Sequence, residues 1–590
     1  MIKQLYILCI LLMANAYVLN AQTFPFVREW GTYYGNNANM KDAVVDDFGN
    51  IYIASSIDIE SIGAENYATP NAHQAIPGGG ISDVLLTKFS PEGAVLWSTY
   101  YGGEMDESPT FLTLDENNNV YVAGETNSSI GIATENAYQT VKITTTNETE
   151  VNTAGFLAKF SSDGTLLYGT YYDGEKDDSI KAINVKNNTI YIIGETASTT
   201  NITTTGSYQP NFTGIDPQQR YTFIVKFNGQ FQRIWGTYYG IDNGFASSGV
   251  FCLDNDENIY ISGSVSQFGD DNNYYASSDN VYQLQNHGNI DLYITKFDTY
   301  GNRVWSTYFG DNKLDAAMDI IYHDNHIFLS GYSYSRNISI GNNVHQTERK
   351  GSFDDFLLKM DINGQPVWAT YFGGVNNTTD SAKTTKLSKD LNGSVWMAGL
   401  TTDETDIATS GSYQTILNNG SNTLTSDSYF AKFNANGTLA FASYYGGEDT
   451  EREASKVLSL PNGSGFYITG TTKSTTAIAT ESAIQSTLYG ETTLFLGKFI
   501  LENLNVNTYL SNTLKLYPNP TQKQITIKSN KRKILKLTIY NTQGKLVHEV
   551  NTVYTNQLIN LPKLSAGHYF LIATVIDTLE KQTFKLLINN

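Results

Sequence analysis

Trp97-Ser98-Thr99-Tyr100-Tyr101 is one copy of a pattern that recurs along most of this 590-residue chain. The pattern is an aromatic residue, a small residue, Thr or Ser, Tyr, and then Tyr or Phe. Its seven copies lie at 30–34, 97–101, 168–172, 235–239, 305–309, 368–372 and 441–445. A fixed period of this kind indicates repeated supersecondary units rather than several unrelated domains.

Two further motifs recur with the first. A run of apolar residues leads into a lysine at Lys88, Lys159, Lys226, Lys296, Lys359, Lys432 and Lys498. Turn residues followed by an apolar run, such as Asn119-Val120-Tyr121-Val122, also recur, and another apolar run such as Val250–Leu253 lies just upstream. Each unit therefore holds four short β-branched or aromatic runs bounded by Gly, Asn and Asp, which predicts a four-stranded antiparallel sheet.

The order of the motifs predicts how the sheets are arranged. Strands that are apolar on both faces must be covered by neighbouring sheets, either in an open stack or in a ring. The strand at Trp30–Tyr34 precedes any complete unit, and the last unit ends at Phe499 without such a strand. Because the first strand completes the last sheet and leaves no edge exposed, we predict an all-β fold, a seven-bladed β-propeller closed by its N-terminal strand.

Composition and charge exclude several classes of protein. The chain has 38 Lys plus Arg and 58 Asp plus Glu, a net charge of −20, which excludes a nucleic-acid binder that works by neutralising phosphates. Two cysteines, Cys9 and Cys252, are too few for a disulfide framework or a Cys-based zinc site. All six Trp residues belong to repeat strands, so none is spare for a sugar-stacking platform.

Residues 1–21 have the layout of a secretory signal peptide. One Lys precedes an apolar run from Leu5 to Met13, and small residues follow. We expect cleavage after Ala21, with Ala16 as the alternative. No later segment supplies the roughly 20 apolar residues that a membrane-spanning helix requires, so we expect a soluble, monomeric mature chain without a transmembrane segment.

The motif order resembles the β-propeller repeat family of bacterial secreted proteins. The stretches Thr99–Gly103 and Asn119–Thr126 carry the match, and the resemblance covers about residues 26–500. The resemblance implies a propeller fold and an extracytoplasmic setting. It implies no defined chemistry, because propellers host many functions.

The repeat stops near residue 503, where a different set of motifs begins. Six or seven strand-like runs there predict a small C-terminal β-sandwich. The motif residues are Tyr517, Pro518, Asn519, Pro520, Gly544, Lys545, Gly567 and Tyr569. They resemble the type A C-terminal sorting domain of the type IX secretion system in Bacteroidetes; the alternative is an accessory binding domain.

The sorting-domain resemblance implies an export route and a set of boundaries. It implies contact with the type IX machinery, passage across the outer membrane, removal of this domain, and release or attachment at the outer cell surface. We predict a signal peptide at 1–21, a propeller at 22–503, a linker at 504–513 and a sorting domain at 514–590.

Acidic residues in several units are the candidate site. They lie eight residues beyond the Thr or Ser of the aromatic motif, at Glu107, Asp178, Asp315 and Glu451. If they line the mouth of the propeller axis, they form a funnel for a cation such as calcium or for a basic partner. The favoured alternative is that each acid caps backbone N–H groups at its turn.

Two other residues recur in every unit, and we interpret both as structural. One lysine per unit at a fixed depth is typical of a side chain that extends to solvent or pairs with an acid. A hydrogen bond between a side-chain amide and loop backbone explains why every unit has a glutamine at one position. These residues are Gln74, Gln139, Gln209, Gln283, Gln346, Gln414 and Gln485.

The sequence favours a binding protein over an enzyme. No nucleophile elbow, phosphate loop or dinucleotide fingerprint is suitably placed, and we expect no organic cofactor. We predict a secreted or cell-surface binding module for a glycan, a peptide or a surface partner, with candidate binding loops at Thr140–Ala154, Ser264–Ser278 and Thr415–Ser426. The alternatives are an extracellular hydrolase or lyase that uses the axial acids, and a purely structural surface component.

Overall fold

The repeated units fold as antiparallel β-sheets. The computed structural model describes residues 24–61, 63, 66–143, 152–211, 220–240, 246–266, 275–276, 280–375, 384–418, 425–502, 514–529, 533–542, 544–576 and 581–589. The chain divides into two compact units, Met1–Leu501 and Glu502–Asn590. Regular structure in the described residues is almost entirely β-strand, with one short 3-10 helix at Leu391–Gly393, so the fold is all-β.

The first unit begins with β1 (Phe26–Tyr34), which is followed by three sheets of four consecutive strands. Sheet 1 consists of β2 (Ala38–Val45), β3 (Ile51–Asp58), β4 (Ser82–Phe89) and β5 (Val95–Tyr101). Sheet 2 consists of β6 (Glu107–Leu114), β7 (Val120–Thr126), β8 (Ala154–Phe160) and β9 (Leu166–Tyr172). Sheet 3 consists of β10 (Asp178–Lys186), β11 (Thr189–Thr196), β12 (Tyr221–Asn228) and β13 (Arg233–Tyr239).

Three more sheets repeat the same order. Sheet 4 consists of β14 (Ala246–Leu253), β15 (Ile259–Ser266), β16 (Ile290–Phe297) and β17 (Arg303–Phe309). Sheet 5 consists of β18 (Asp315–His323), β19 (His326–Ser333), β20 (Asp354–Asp361) and β21 (Pro366–Phe372). Sheet 6 consists of β22 (Lys386–Lys389), β23 (Val395–Thr401), β24 (Asp427–Phe433) and β25 (Leu439–Tyr445).

Sheet 7 combines strands from both ends of the first unit. It contains β26 (Glu451–Ser459), β27 (Gly465–Thr472) and β28 (Thr493–Leu501), and β1 is its fourth strand. The strands β1 and β28 are antiparallel, with Trp30 opposite Lys498 and Tyr34 opposite Leu494. The aromatic motif at the start of the repeats therefore supplies the strand that the last unit lacks.

Hydrophobic cores lie between consecutive sheets because most strands are apolar on both faces. Tyr52 of sheet 1 shares a buried cluster with Val120 of sheet 2. In the same way, Tyr467 of sheet 7 shares a buried cluster with Ile51 of sheet 1. The Tyr467 hydroxyl also donates a hydrogen bond to the Gly49 carbonyl at 2.9 Å, so sheets 7 and 1 are packed together.

The first strand of each sheet contacts the first strands of two neighbouring sheets. The contacting pairs are β2 and β6, β6 and β10, β10 and β14, β14 and β18, β18 and β22, β22 and β26, and β26 and β2. Residues from the first strands of different sheets are therefore brought close to one another.

The second unit contains two smaller sheets. A three-stranded sheet holds β29 (Lys515–Tyr517), β30 (Gln524–Lys528) and β33 (Leu558–Asn560). A four-stranded sheet holds β32 (Leu546–Tyr554), β31 (Ile534–Asn541), β34 (Gly567–Val575) and β35 (Lys581–Ile588). The two sheets share one hydrophobic core, which includes Ile525 of β30 and Leu537 of β31.

Candidate functional site

The four acids predicted from the sequence each begin the first strand of a sheet. Glu107 starts β6, Asp178 starts β10, Asp315 starts β18 and Glu451 starts β26. All four residues are fully buried, with an exposed fraction of 0%. They therefore face the protein interior rather than solvent.

Each of these carboxylates closes the turn that leads into its strand. The backbone N–H four residues earlier donates to it, at 2.7 Å for Glu107, 2.7 Å for Asp178, 2.9 Å for Asp315 and 3.4 Å for Glu451. Hydroxyls that follow or end the second strand add further bonds, such as Ser198 to Asp178 at 2.8 Å. These are the capping hydrogen bonds of the alternative interpretation.

A second buried acid lies beside three of these residues, at the start of the third strand of the preceding sheet. A β-carbon placed on Gly446 would lie 2.3 Å from Asp427 Oδ1 and 2.4 Å from Glu451 Oε2, so both oxygens face the same glycine. Among the described residues, neither oxygen has a hydrogen-bond partner. We call Asp83–Glu107, Asp291–Asp315 and Asp427–Glu451 the acid pairs.

Burial changes the protonation of the acid pairs. Burial raises the pKa of Asp83 to about 8, and the charge of Glu107 adds to the rise. Burial likewise raises the pKa of Asp291 to about 7 and that of Asp427 to about 6. Because a carboxyl in a dry environment disfavours its charged form, Asp83 keeps its proton at neutral pH, whereas Asp291 is partly ionised and Asp427 mostly ionised there.

The repeated glutamines support the same turns. Each side-chain oxygen accepts a backbone N–H just after the aromatic motif, for example Gln74 from Gly102 at 3.1 Å and Gln485 from Gly35 at 3.1 Å. The same contact is made by Gln139, Gln209, Gln283, Gln346 and Gln414. The structural interpretation of the glutamines therefore fits every unit.

Among the described residues, the four predicted acids lack the neighbouring side chains that a metal site needs. Across the described ranges, no group of three or more His, Cys, Asp or Glu side chains is arranged to hold an ion. Calcium takes six to eight oxygen ligands, whereas the four acids already accept N–H or O–H donors. The calcium hypothesis for Glu107, Asp178, Asp315 and Glu451 stays a prediction.

The repeated lysines link neighbouring sheets. Lys226 Nζ lies 5.1 Å from the centre of the Tyr191 ring and 3.7 Å from Glu257. It donates to the Thr299 carbonyl of sheet 4 at 3.2 Å, and Trp235 Nε1 donates to the same oxygen at 3.2 Å. Equivalent lysine–ring contacts occur at Lys88, Lys159, Lys296, Lys359 and Lys432.

One feature has no counterpart in the sequence predictions. Residues from the first strands of sheets 2 to 7 line a cavity of about 120 Å³. Lys386, Lys389 and Lys456 are part of its lining, together with Asp319. We call it the lysine cavity. Its sequence signal is three lysines in strands that otherwise bury apolar residues, but those lysines come from two different sheets.

The three predicted binding loops lie partly outside the described residues. Residues 144–151 of Thr140–Ala154, 267–274 and 277–278 of Ser264–Ser278, and 419–424 of Thr415–Ser426 are not described. The signal peptide at 1–21 and the whole linker at 504–513 also lie outside the described ranges.

The first motif of the second unit connects a loop to the last strand. Tyr517 ends β29, and the peptide bonds before Pro518 and Pro520 are cis. Asn519 Nδ2 donates to the Lys585 carbonyl at 2.6 Å, and its Oδ1 accepts the Leu587 N–H at 2.9 Å. Asn519 therefore holds this loop against β35.

The remaining motif residues shape a turn and begin a strand. Gly544 has a φ of +77° between β31 and β32, and the Lys545 N–H donates to Asn541 Oδ1 at 2.9 Å. Gly567 begins β34, and the Tyr569 hydroxyl donates to the Ser565 carbonyl at 3.0 Å. The motif residues thus have local structural roles in the second unit.

Solved structures give distant similarities to much of the chain. The phage phi92 endosialidase has 10% identity and a TM-score of 0.35, and the match covers 96% of this chain and 88% of that one. An α-L-arabinanase of Penicillium chrysogenum has 10% identity and a TM-score of 0.33, covering 64% and 93%. PorZ, a surface component of the type-IX secretion system of Porphyromonas gingivalis, has 11% identity and a TM-score of 0.20, covering 94% and 82%.

Two families match parts of the chain, and no curated protein matches it. Residues 96–131, from β5 to just beyond β7, match the beta-propeller repeat. Residues 515–589, which span β29 to β35, match the secretion system C-terminal sorting domain. Of the residues that the structure describes, none forms a helix with the length and apolar character needed to cross a bilayer. The chain therefore carries a beta-propeller repeat and a secretion system C-terminal sorting domain.

Proposed function

We propose that this protein is exported by the type IX secretion system and acts outside the cell as a non-catalytic binding module. The sorting domain at residues 515–589 carries this proposal. Its motif residues fold into one two-sheet unit, in which Asn519 joins the Tyr517–Pro520 loop to β35. A preformed surface of this kind suits recognition by an export machinery.

The proposed shape of the exported part is a closed ring of seven blades. The pairing of β1 with β28 supports closure because it completes sheet 7. The contact of β26 with β2 supports it as well. In such a ring the first strands surround the axis, and the lysine cavity lies on that axis.

The non-catalytic role rests on the environment of the acids. A general acid or base must reach its substrate within hydrogen-bond distance. Asp315 and Glu451 are fully buried, and both accept hydrogen bonds from their own turns. Variable loops on a rigid scaffold are the common place for binding residues, so we assign ligand binding to the loops.

Deletion of the sorting domain tests the export route. We expect the chain without Leu510–Asn590 to accumulate in the periplasm of a bacterium with a type IX system, while the full chain reaches the medium or the cell surface. Asn519→Ala in the full chain should reduce export while the first unit stays folded. Equal appearance of the truncated chain in the medium would contradict the proposal.

A paired binding and hydrolysis assay tests the absence of catalysis. The mature chain is screened against polysaccharides and surface extracts, and any polymer that it retains is incubated with it and assayed for new reducing ends. We expect retention without cleavage. New ends that disappear in the Asp315→Asn or Glu451→Gln variant would show instead that the acids are catalytic.

A further inference from the structure

The lysine cavity has an unusual charge for this protein. The whole chain carries a net charge of −20, yet three of the four charged side chains that line the cavity are lysines, Lys386, Lys389 and Lys456, and the fourth is Asp319. A positive cavity in a negative protein is not explained by the average composition.

The nearby carboxylates are already fully engaged. Asp42 binds Lys456 Nζ at 2.7 Å and accepts the Leu112 N–H at 2.9 Å. Asp319 accepts the Leu387 N–H of sheet 6 at 2.7 Å. Both acids are buried and join the first strands of neighbouring sheets. Both acids hold the strands in place, and Asp42 neutralises Lys456.

Lys386 is half-buried, and Lys389 is exposed at the end of β22. Burial raises the pKa of Asp319, and the charges of Lys386 and then Lys456 oppose that rise, so the one acid of the cavity lining is shared by two lysines. Burial, together with the charge of Lys186, lowers the pKa of Lys389. Lys186 itself donates to the Asp254 carbonyl at 2.7 Å. The three lysines of the cavity therefore share two buried carboxylates, Asp42 and Asp319, and a bound anion would offset the remaining positive charge.

The size and walls of the cavity limit the anion to a compact one. Phe111, Phe251 and Tyr322 form part of the wall, and they supply shape and a low dielectric constant. A volume of about 120 Å³ holds about four water molecules at roughly 30 Å³ each. A sulfate, a phosphate or the carboxylate of a small acid fits this space, whereas a folded peptide or an oligosaccharide does not.

We infer that the lysine cavity binds a compact oxyanion, held by the amines of Lys386 and Lys389. A tetrahedral oxyanion and a carboxylate present the same chemistry to the two amines, namely oxygens that accept charge-assisted hydrogen bonds. The inference concerns the first unit alone and does not depend on the export route.

Calorimetry on the full mature chain tests the inference. The probes are sodium sulfate, sodium phosphate and sodium acetate, titrated at constant ionic strength with chloride as the balance ion. We expect at least one probe to bind in a 1:1 ratio, and binding to weaken at least tenfold in the Lys386→Gln/Lys389→Gln variant. Preference for sulfate or phosphate indicates a tetrahedral ligand, and preference for acetate indicates a carboxylate.

Lys313→Gln is the matched control, because Lys313 is an exposed lysine outside the cavity. The Lys313→Gln variant should bind each probe as tightly as the unchanged protein does. Absence of binding for all three probes, or equal binding by the double variant, would overturn the inference.

A second measurement needs no variant. Limited acetylation of the unchanged protein, read by mass spectrometry, reports how accessible each lysine is. The best-binding anion should slow acetylation of Lys386 and Lys389 at least threefold and leave Lys313 unaffected. Unchanged acetylation of both cavity lysines at a saturating concentration would overturn the inference even if the double variant fails to fold.

Discussion

At the scale of single residues, the acid pairs make stability depend on pH. Burial raises the pKa of Asp83 to about 8 and that of Asp291 to about 7, against about 3.9 for an Asp in an unfolded chain. Between these values the folded state binds more protons than the unfolded state. The contribution of these two carboxyls to the free energy of unfolding is therefore highest below about pH 4 and falls as the pH rises to about 8.

Urea unfolding at pH 5.5 and at pH 8, with fixed ionic strength, measures this effect. We expect a lower midpoint at pH 8. The Asp83→Asn/Asp291→Asn variant should show a smaller difference between the two pH values, because two of the titrating groups are removed. Asp298→Asn, in an exposed turn, is the control and should keep the full difference. A midpoint that rises with pH would contradict this explanation.

The sequence located the acids but did not fix their environment. The spacing from the aromatic motif predicted Glu107 and Asp178, and capping was the favoured interpretation. Both their burial and the position of Asp83 beside Glu107 depend on how the third strand of one sheet packs against the next sheet. No local sequence pattern encodes that packing. The lysine cavity escaped prediction for the same reason, since Lys386 and Lys456 belong to different sheets.

At the scale of elements, the turn between the third and fourth strands is where neighbouring sheets meet. Gly301 has a φ of +85°, and a β-carbon there would lie 3.1 Å from the Trp235 ring of the preceding sheet. Gly206 has a φ of +83° and nothing within 4 Å of such a β-carbon. The two glycines thus share a backbone conformation and differ in their surroundings.

We expect Gly301→Ala to destabilise the protein more than Gly206→Ala. Both variants incur the cost of a left-handed backbone, about 1 kcal/mol. Gly301→Ala also displaces Trp235 and weakens its hydrogen bond to the Thr299 carbonyl, worth about 1 kcal/mol more. Chemical unfolding of both variants measures the difference. Equal losses would mean that the Trp235 contact does not stabilise the sheet interface.

The strands themselves were largely predictable because their signals are local. The run Val250–Leu253 lies in β14, and Asn119–Val122 leads into β7. Turn residues and alternating apolar runs are read within one unit, so each of the seven units could be recognised independently. β22 is the exception in length, since it covers only Lys386–Lys389.

At the scale of the whole molecule, closure is the property on which the proposed ring and its loop surfaces depend. A closed ring would place the first strands around one axis, would put the lysine cavity at that axis and would leave the loops as binding surfaces. An open arrangement would leave β1 free and expose the edge of β28, a risk for aggregation. The order of the motifs predicts closure, because the last repeat lacks its fourth strand and an extra strand of the same type precedes the first repeat.

A disulfide between β1 and β28 tests closure most directly. Val27 and Ile500 are opposite each other in the register of these strands. Facing residues in antiparallel strands have β-carbons about 4.5–5.5 Å apart, close to disulfide geometry. The test variant carries Val27→Cys, Ile500→Cys and Cys252→Ser. The control variant carries Val27→Cys, Leu96→Cys on β5 and Cys252→Ser.

Mild oxidation followed by non-reducing electrophoresis reads the result. A closed ring predicts rapid formation of an intramolecular disulfide in the Val27/Ile500 variant, seen as a compact monomer whose mobility reverts on reduction, and no such species in the control. A Val27/Ile500 variant that stays reduced, or that forms only disulfide-linked dimers, would contradict closure of the ring.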